Sequence, residues 1–235
     1  MIQSSHGGNR MWIDDLVFKQ CHQPLTVVSW IPEDPLVILG RGNDRESECL
    51  PAHCEKDGVP ILRRRGGGGA VVLHSGCVIV SVGTWVSHYY KSGTYFRLIN
   101  QALINTLAHQ WPELTALQQE GISDLTFEKR KVAGTSLFRS RNYLLYQASL
   151  LVDTQLPLID RYLKHPSREP DYRQGKSHRD FLSSLSVFNS SITCEQIRSL
   201  MQSTLSTHLF HQLKDELVDP VPEQIPHVRN RQAPI

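Results

Sequence analysis

The sequence predicts an α/β or α+β domain built on a mixed sheet. Apolar, β-branched runs recur through its middle, at residues 25–30, 36–40, 59–62, 71–83, 125–127, 131–138 and 143–152. Runs with a 3.6-residue period interrupt and flank them, at 11–20, 95–110 and from Thr193 onward. With 235 residues, 40% of them hydrophobic and 20% charged, the chain suits one large globular domain or a domain with a small appendage.

Taken in order, residues 11–20 put Trp12, Ile13, Leu16 and Val17 on one helical face, with Asp14 and Asp15 in the first turn, where the helix dipole favours acids. The next two strands, 25–30 and 36–40, are separated by a turn at Pro32 and Pro35. The polar stretch 44–55 reads as helix or loop. A strand over 59–62 then leads into a glycine loop, and a second strand runs on to about Gly83. Phe96, Ile99, Ala102, Leu103, Thr106 and Leu107 define a helix over 95–110 that Trp111-Pro112 stops. Strands at 125–127, 131–138 and 143–152 follow, the last two joined by a hairpin turn at Ser140-Arg141-Asn142. Pro157 sits in the first turn of a short helix ending at Leu163, and residues 165–180 are polar enough for a long loop. Thr193-Cys194-Glu195-Gln196 is a capping-box start for a helix carrying Ile197, Leu200, Met201, Leu205 and Leu209. From Asp219 the prolines at 220, 222, 226 and 234 predict an extended tail. No internal repeat is visible.

The stretch richest in chemistry is Arg63-Arg64-Arg65-Gly66-Gly67-Gly68-Gly69-Ala70-Val71-Val72-Leu73-His74. Four consecutive glycines lose much backbone entropy on ordering, so a fold keeps them where a ligand or another backbone must come close. Arginines beside them supply planar donors suited to phosphate or carboxylate. A Walker loop is excluded because no Lys-Ser/Thr follows, and a dinucleotide fingerprint because the following residues are strand-like. An RGG-type segment would be long and repetitive. An anion-binding loop between buried strands remains, against the plain alternative of a flexible turn.

Composition removes other classes. Net charge is +2, from 25 basic and 23 acidic residues, so the footprint of a dedicated nucleic-acid binder is missing. No apolar run approaches membrane-span length, and the N-terminus lacks signal-peptide layout, which makes the cytoplasm the expected location. Five cysteines at irregular spacing predict free thiols, and Cys49, His53 and Cys54 lack the second pair that a zinc site needs. No metal site is expected.

A second constellation lies at Gly121-Ile122-Ser123-Asp124-Leu125-Thr126-Phe127-Glu128-Lys129-Arg130-Lys131-Val132-Ala133-Gly134-Thr135-Ser136. Lys131 opens a strand of small and apolar residues, and an inward lysine there wants an anion. The alternative is a solvated hairpin edge. Arg-Arg-x-x-Gly-Gly-Gly-Ala-Val followed by Asp-Leu…Lys-Val-Ala-Gly-Thr-Ser, in this order, resembles the lipoate–protein ligase family, grouped with biotin ligases and octanoyltransferases. The resemblance extends upstream through Trp12-Ile13-Asp14-Asp15, Trp30 and Pro35 to Arg41, and downstream to Leu150-Leu151-Val152-Asp153, covering about residues 11–185.

That resemblance implies a mixed, mostly antiparallel sheet flanked by helices. It implies ATP and Mg2+, a lipoyl-AMP intermediate, lipoate or octanoate as substrate, and a lipoyl-domain protein as acceptor, with no nucleic acid or membrane. Arg64, Gly67, Gly68, Gly69 and Ala70 would cradle the acyl-adenylate with Asp124, Gly134 and Thr135 nearby, and Lys131 would be the catalytic contact to the reacting oxygens. The strands at 71–73 and 78–80 would line a slot for the acyl chain. One catalytic domain over 1–218 and a tail over 219–235 are expected, without the C-terminal accessory domain of two-domain ligases, whose role a separate subunit would take. The chain departs from the family at Arg65 and Gly66, where hydroxyl residues are usual, at Cys77, which aligns with an Asn, and at Gln147-Ala148, which replaces His-Gly. Two alternatives stand: an octanoyltransferase working through a Cys thioester, with Cys77 the candidate nearest the arginines, and a non-catalytic module that binds a lipoyl domain.

Overall fold

The computed structural model describes residues 13–88 and 90–224. Helix α1 (Ile13–Lys19) opens the described chain, so Met11 and Trp12 of the expected helix lie outside it. Strands β1 (Leu25–Trp30) and β2 (Leu36–Leu39) follow, then two short helices, α2 (Arg45–Glu48) and α3 (Pro51–Lys56), over the stretch left open between helix and loop. Next come β3 (Ile61–Arg63), the glycine loop, β4 (Val71–Leu73) and β5 (Cys77–Trp85). Helix α4 (Ser92–Gln110) ends at Trp111, as its sequence requires, and a 3-10 turn leads to β6 (Gln118–Glu120) and β7 (Asp124–Phe127). The long hairpin of β8 (Arg130–Ser140) and β9 (Tyr143–Leu151) completes the strands. Helices α5 (Leu156–Tyr162), α6 (His178–Phe181), α7 (Leu185–Phe188) and α8 (Cys194–Leu213) close the domain.

The strands form two sheets. Six antiparallel strands take the order β1-β5-β9-β8-β7-β6, and a small sheet takes the order β3-β2-β4, with β2 parallel to β3 and antiparallel to β4. The expected mixed, mostly antiparallel sheet flanked by helices is therefore present, divided in two. Every residue of β5 is buried, which marks it as a central strand, and full burial of each Val or Ile stabilises by roughly 1.5–3 kcal/mol. Alternation sends Val78, Val80 and Val82 towards α4 and α8, and Cys77 and Ile79 towards the small sheet. Helix α8 starts at the full capping box read from Thr193 and Gln196, and Ile197, Met201, Leu205 and Leu209 are buried as expected. No helix among the described residues is long and apolar enough to cross a membrane.

Two expectations are corrected. The strand after the glycine loop is not continuous to Gly83: β4 belongs to the small sheet and β5 to the large one. The chain reverses at 74–76, where His74 Nδ1 accepts from the Gly76 N–H at 3.0 Å. A Cβ on Gly76 would stand 2.1 Å from the Asp153 carbonyl oxygen, so only glycine fits that corner. The segment 165–180 is not simply a long loop. It contains a 3-10 turn over Asp171–Arg173 and helix α6, and Arg173, only 4% exposed, stacks on Phe181 at 4.7 Å.

After α8 the chain returns to the start of α4 through Glu216. Its carboxylate accepts from Ser87 Oγ and Tyr95 OH, both at 2.9 Å, and lies 3.3 Å from His88 Nδ1 and 3.5 Å from Lys91 Nζ. Burial pushes this carboxyl up, but the hydrogen bonds from Ser87, Tyr95 and His88 outweigh it and bring the pKa down to about 2. A folded pKa below the unfolded value of about 4.3 stabilises the fold at higher pH, and that contribution is lost as pH falls towards 2. We expect Glu216→Ala to cost about 2 kcal/mol at pH 7. Urea titrations from pH 7 to pH 2 should show the gap to wild type closing below about pH 4. A gap that stayed constant would mean the carboxylate charge contributes nothing.

Candidate functional site

The glycine loop is held by its own arginines. Arg64, 9% exposed, donates from Nε and an Nη to the Gly67 carbonyl at 3.1 and 2.6 Å and from that Nη to the Gly69 carbonyl at 2.8 Å. One Nη of Arg63 donates to the carbonyls of Gly40 (2.9 Å), Arg41 (3.2 Å) and Asn43 (2.7 Å). Arg65 lies over the Phe18 ring at 4.9 Å and the Phe138 ring at 5.9 Å. Sequence alone assigned these guanidinium groups to a ligand, whereas these contacts are with the protein's own backbone and rings.

The glycines divide by what surrounds them. A Cβ on Gly40 would stand 2.0 Å from the Gly68 carbonyl oxygen, and one on Gly66 would stand 3.0 Å from Ser136 Oγ. Gly68 has φ +93°, in the region that side chains avoid, and its Cβ would meet the Arg64 guanidinium at 2.8 Å. Gly67 and Gly69 face open space, and Ala70 follows half-buried at the edge of the small-sheet core. The loop is thus packed at Gly66 and Gly68 and open at Gly67 and Gly69.

Contact between Gly66 and Ser136 brings the two sequence motifs together. On β8 the order of faces is set by a bulge. Leu125 pairs with Ala133 and Thr126 with Lys131, so Val132 has no partner in the register. The extra residue shifts the alternation by one and puts Lys131 on the same face as Gly134 and Ser136. Lys131 Cε and Nζ lie 3.3 Å from where a Cβ on Gly134 would stand, so the glycine makes room for the lysine. Lys131 Nζ is 2.8 Å from Asp124 Oδ1, and Tyr172 OH donates to Asp124 Oδ2 at 2.8 Å. The hairpin-edge reading of Lys131 therefore fails: its side chain is only 22% exposed and ion-paired.

Thr135 goes the other way. Its hydroxyl donates to the Ser123 carbonyl at 2.8 Å, on the face covered by α4, and it meets Gly68 only through its carbonyl, 3.9 Å from a Cβ placed there. The hydroxyl on the loop side belongs to Ser136. Cross-strand register continues that face as a polar stripe: Ser136 opposite Gln147 opposite Ser81, and Gly134 opposite Ser149 opposite Ile79. Gln147 Nε2 lies 3.4 Å from Ser81 Oγ, and Ser149 Oγ lies 3.4 Å from the Gly134 carbonyl. The signal for this stripe was alternation of small polar residues along β8 and β9. It becomes readable only once the pairing of β8, β9 and β5 is known.

Burial raises the thiols of all five cysteines above their ordinary value, Cys49 and Cys77 to about 11. Cys77 is fully buried, with Thr154 Oγ1 at 3.8 Å from its sulfur. Among the described residues no group of three or more His, Cys, Asp or Glu is placed to hold a metal.

Comparison with known proteins bears on the family and the fold. A family model described as the lipoyl protein ligase A/B catalytic domain matches residues 9–206. A lipoate–protein ligase 1 of Plasmodium falciparum is 26% identical over 162 residues, covering 68% of this chain and 37% of that protein, so the chain spans little more than a third of this relative. Among solved structures, a lipoate-protein ligase A bound with ATP aligns at TM-score 0.68 and 20% identity, covering 85% of this chain and 79% of its own. A bipartite lipoate protein ligase from Thermoplasma acidophilum aligns at TM-score 0.67 and 22% identity, with 85% and 78% covered. At these identities the solved structures show a shared fold.

Two substitutions separate the packed from the open glycines. Gly40→Ala pushes a side chain into a backbone carbonyl, and we expect a loss of roughly 2–4 kcal/mol in thermal denaturation. Gly67→Ala meets open space and should stay within about 1 kcal/mol of wild type. Equal effects would mean that the loop does not pack as described.

Proposed function

The chain belongs to the lipoyl protein ligase A/B catalytic-domain family, and from that premise we propose that it transfers a lipoyl or octanoyl group from acyl-AMP to a lysine of a lipoyl-domain protein. One observation carries this reading: Gly66 of the glycine loop packs on Ser136, which lies on the same face of β8 as Gly134 and the Lys131 ammonium. An adenylate needs main chain it can approach closely and a cation where charge develops, and this junction supplies both.

In the proposed reaction the acceptor amine attacks the acyl carbonyl, and the C–O bond to phosphate breaks. AMP leaves with the electron pair, and the amine's proton passes to solvent. Negative charge builds on the carbonyl oxygen and then on the phosphate, and Lys131 is the group placed to meet it. Gly67 and Gly69 admit the phosphate, with Gly68, Ala70 and Gly134 giving the surrounding shape. Arg64 acts by holding the loop carbonyls, Asp124 by orienting Lys131, and Thr135 through its backbone. The acyl chain is assigned to the strands at 71–73 and 78–80, with Ser81, Gln147 and Ser149 on the same face of the large sheet.

Relatives support the remaining assignments. The lipoate-protein ligase A neighbour carries ATP, and a Plasmodium falciparum ligase structure, at TM-score 0.62 and 21% identity over 81% of this chain and 50% of that one, carries lipoate. The Thermoplasma acidophilum ligase is bipartite and is described with its E2 lipoyl domain. We accordingly assign ATP and lipoate or octanoate as substrates, a lipoyl domain as acceptor and a separate accessory subunit for adenylation. Residues 1–218 form the one catalytic domain in this proposal. Mg2+ would travel with the nucleotide phosphates, since Asp124 has both oxygens engaged and no carboxylate cage surrounds it among the described residues.

Lys131→Ala should lower transfer from synthetic lipoyl-AMP to a purified lipoyl domain by ~10²–10³ while the melting temperature holds. Transfer at wild-type speed would remove Lys131 from the site. A thioester route needs an accessible thiolate, and burial works against every cysteine here. We therefore expect the Cys77→Ser, Cys194→Ser double variant to keep most of its activity. Incubation with octanoyl-carrier protein should leave no acyl adduct in mass spectra. An adduct on Cys77, lost with activity in Cys77→Ser, would make the protein an octanoyltransferase.

A further inference from the structure

Asp124 spends its two carboxylate oxygens on different partners. One meets Lys131 Nζ, and the other accepts from Tyr172, each at 2.8 Å. Lys131 and Asp124 come from the sheet, whereas Tyr172 comes from the segment between α5 and α6, far along the chain. The chain just beyond it, α6 and the two residues that follow, is fastened to the lysine strand independently of the phenol. Arg130 donates to the carbonyls of Arg179 at 2.7 Å and Leu182 at 2.5 Å, and the Ser183 N–H donates to the Lys131 carbonyl at 2.9 Å.

The tyrosine ring is wedged. Its centroid lies 5.1 Å from that of Phe181, which Arg173 also stacks against. On another side, a Cβ on Gly121 would come within 3.4 Å of the ring's Cε1. A ring fixed in this way gives its hydroxyl a fixed location, and that location is the second oxygen of Asp124.

We propose that Tyr172 is a positioning residue that sets the direction of the Lys131 ammonium through Asp124. An aspartate turns readily about its terminal torsion, and a hydrogen bond to its far oxygen removes that freedom. An ammonium has three donors, and once Asp124 takes one along a fixed line the cone open to the other two is fixed as well. Burial, and next the charge of Asp124, push the phenol above its ordinary pKa, so it remains a donor at any working pH. Geometry carries the link from Tyr172 to Lys131. Its consequence for catalysis rests on the transfer reading given above.

The test is a double-mutant cycle on the full chain, with Tyr172→Phe, which keeps the ring, Asp124→Asn, and both together. One readout is trace acetylation of Lys131 by acetic anhydride, measured by peptide mass spectrometry relative to the other lysines, and it requires no activity. The other is transfer from synthetic lipoyl-AMP to a lipoyl domain. Tyr172→Phe should speed Lys131 acetylation and lower kcat about tenfold with KM for the lipoyl domain unchanged. In the Asp124→Asn background the same change should do nothing further to either readout. Unchanged acetylation in Tyr172→Phe, or an equal effect of Tyr172→Phe in both backgrounds, would overturn the proposal. If wild type transferred nothing while acetylation still showed the coupling, the transfer reading would fall and the positioning of Lys131 would stand.

Discussion

Close approach of one backbone to another governs the site. The Gly68 carbonyl occupies space that a side chain at residue 40 would need, and Gly66 sits directly on Ser136. Such contacts bring the glycine loop onto β8 and so couple the small sheet to the large one. Ordering four glycines costs entropy, and the hydrogen bonds of Arg63 and Arg64 to loop and turn carbonyls offset it. A loop of ordinary residues could not approach so closely, and glycines without the arginines would have no reason to hold one shape. Each half of the Arg-Gly run needs the other.

Much of the fold was legible locally. Helix α4 declared its period and its stop, β1, β2, β7 and β9 their apolar runs, and α8 its capping box, because each signal lies within one short stretch of chain. The β4–β5 break was not legible, since 71–73 and 78–80 are equally apolar and the reversal between them rests on His74, Gly76 and the distant Asp153. Nor was the ordering of 165–180, which depends on Phe181 meeting Arg173 and on Tyr172 reaching Asp124. Polar sequence reads as loop until the partners of its aromatic and cationic residues are known.

The site shows the same limit more sharply. Its motifs were visible as residues, and an inward Lys131 beside Gly134 could be read from them, but the reason the two share a face could not. Strict alternation would group Lys131 with Ala133 and Thr135, and the bulge at Val132 groups it with Gly134 and Ser136 instead. One unpaired residue thus decides which face of β8 the lysine shares. The roles of the arginines were hidden for a different reason. Guanidinium groups bind carbonyls as readily as phosphates, and nothing in the letters Arg-Arg-Arg says which they have found.

Carbonyl partners also bear on charge. A carboxylate that orients an arginine neutralises it, whereas a carbonyl orients it and leaves the net charge in place. The contacts of Arg63 with three carbonyls, and of Arg65 with two aromatic rings, are of the second kind. Lys131, by contrast, is paired with Asp124. Asp44 lies within charge range of Arg63, but these contacts hold Arg63 and Arg65 without a carboxylate, while the lysine is held in a defined direction by one. In the proposed reaction, attraction of an anion and precise placement of one donor would fall to different residues. A site that draws in a phosphate and must also hold one ammonium still is best served by that division.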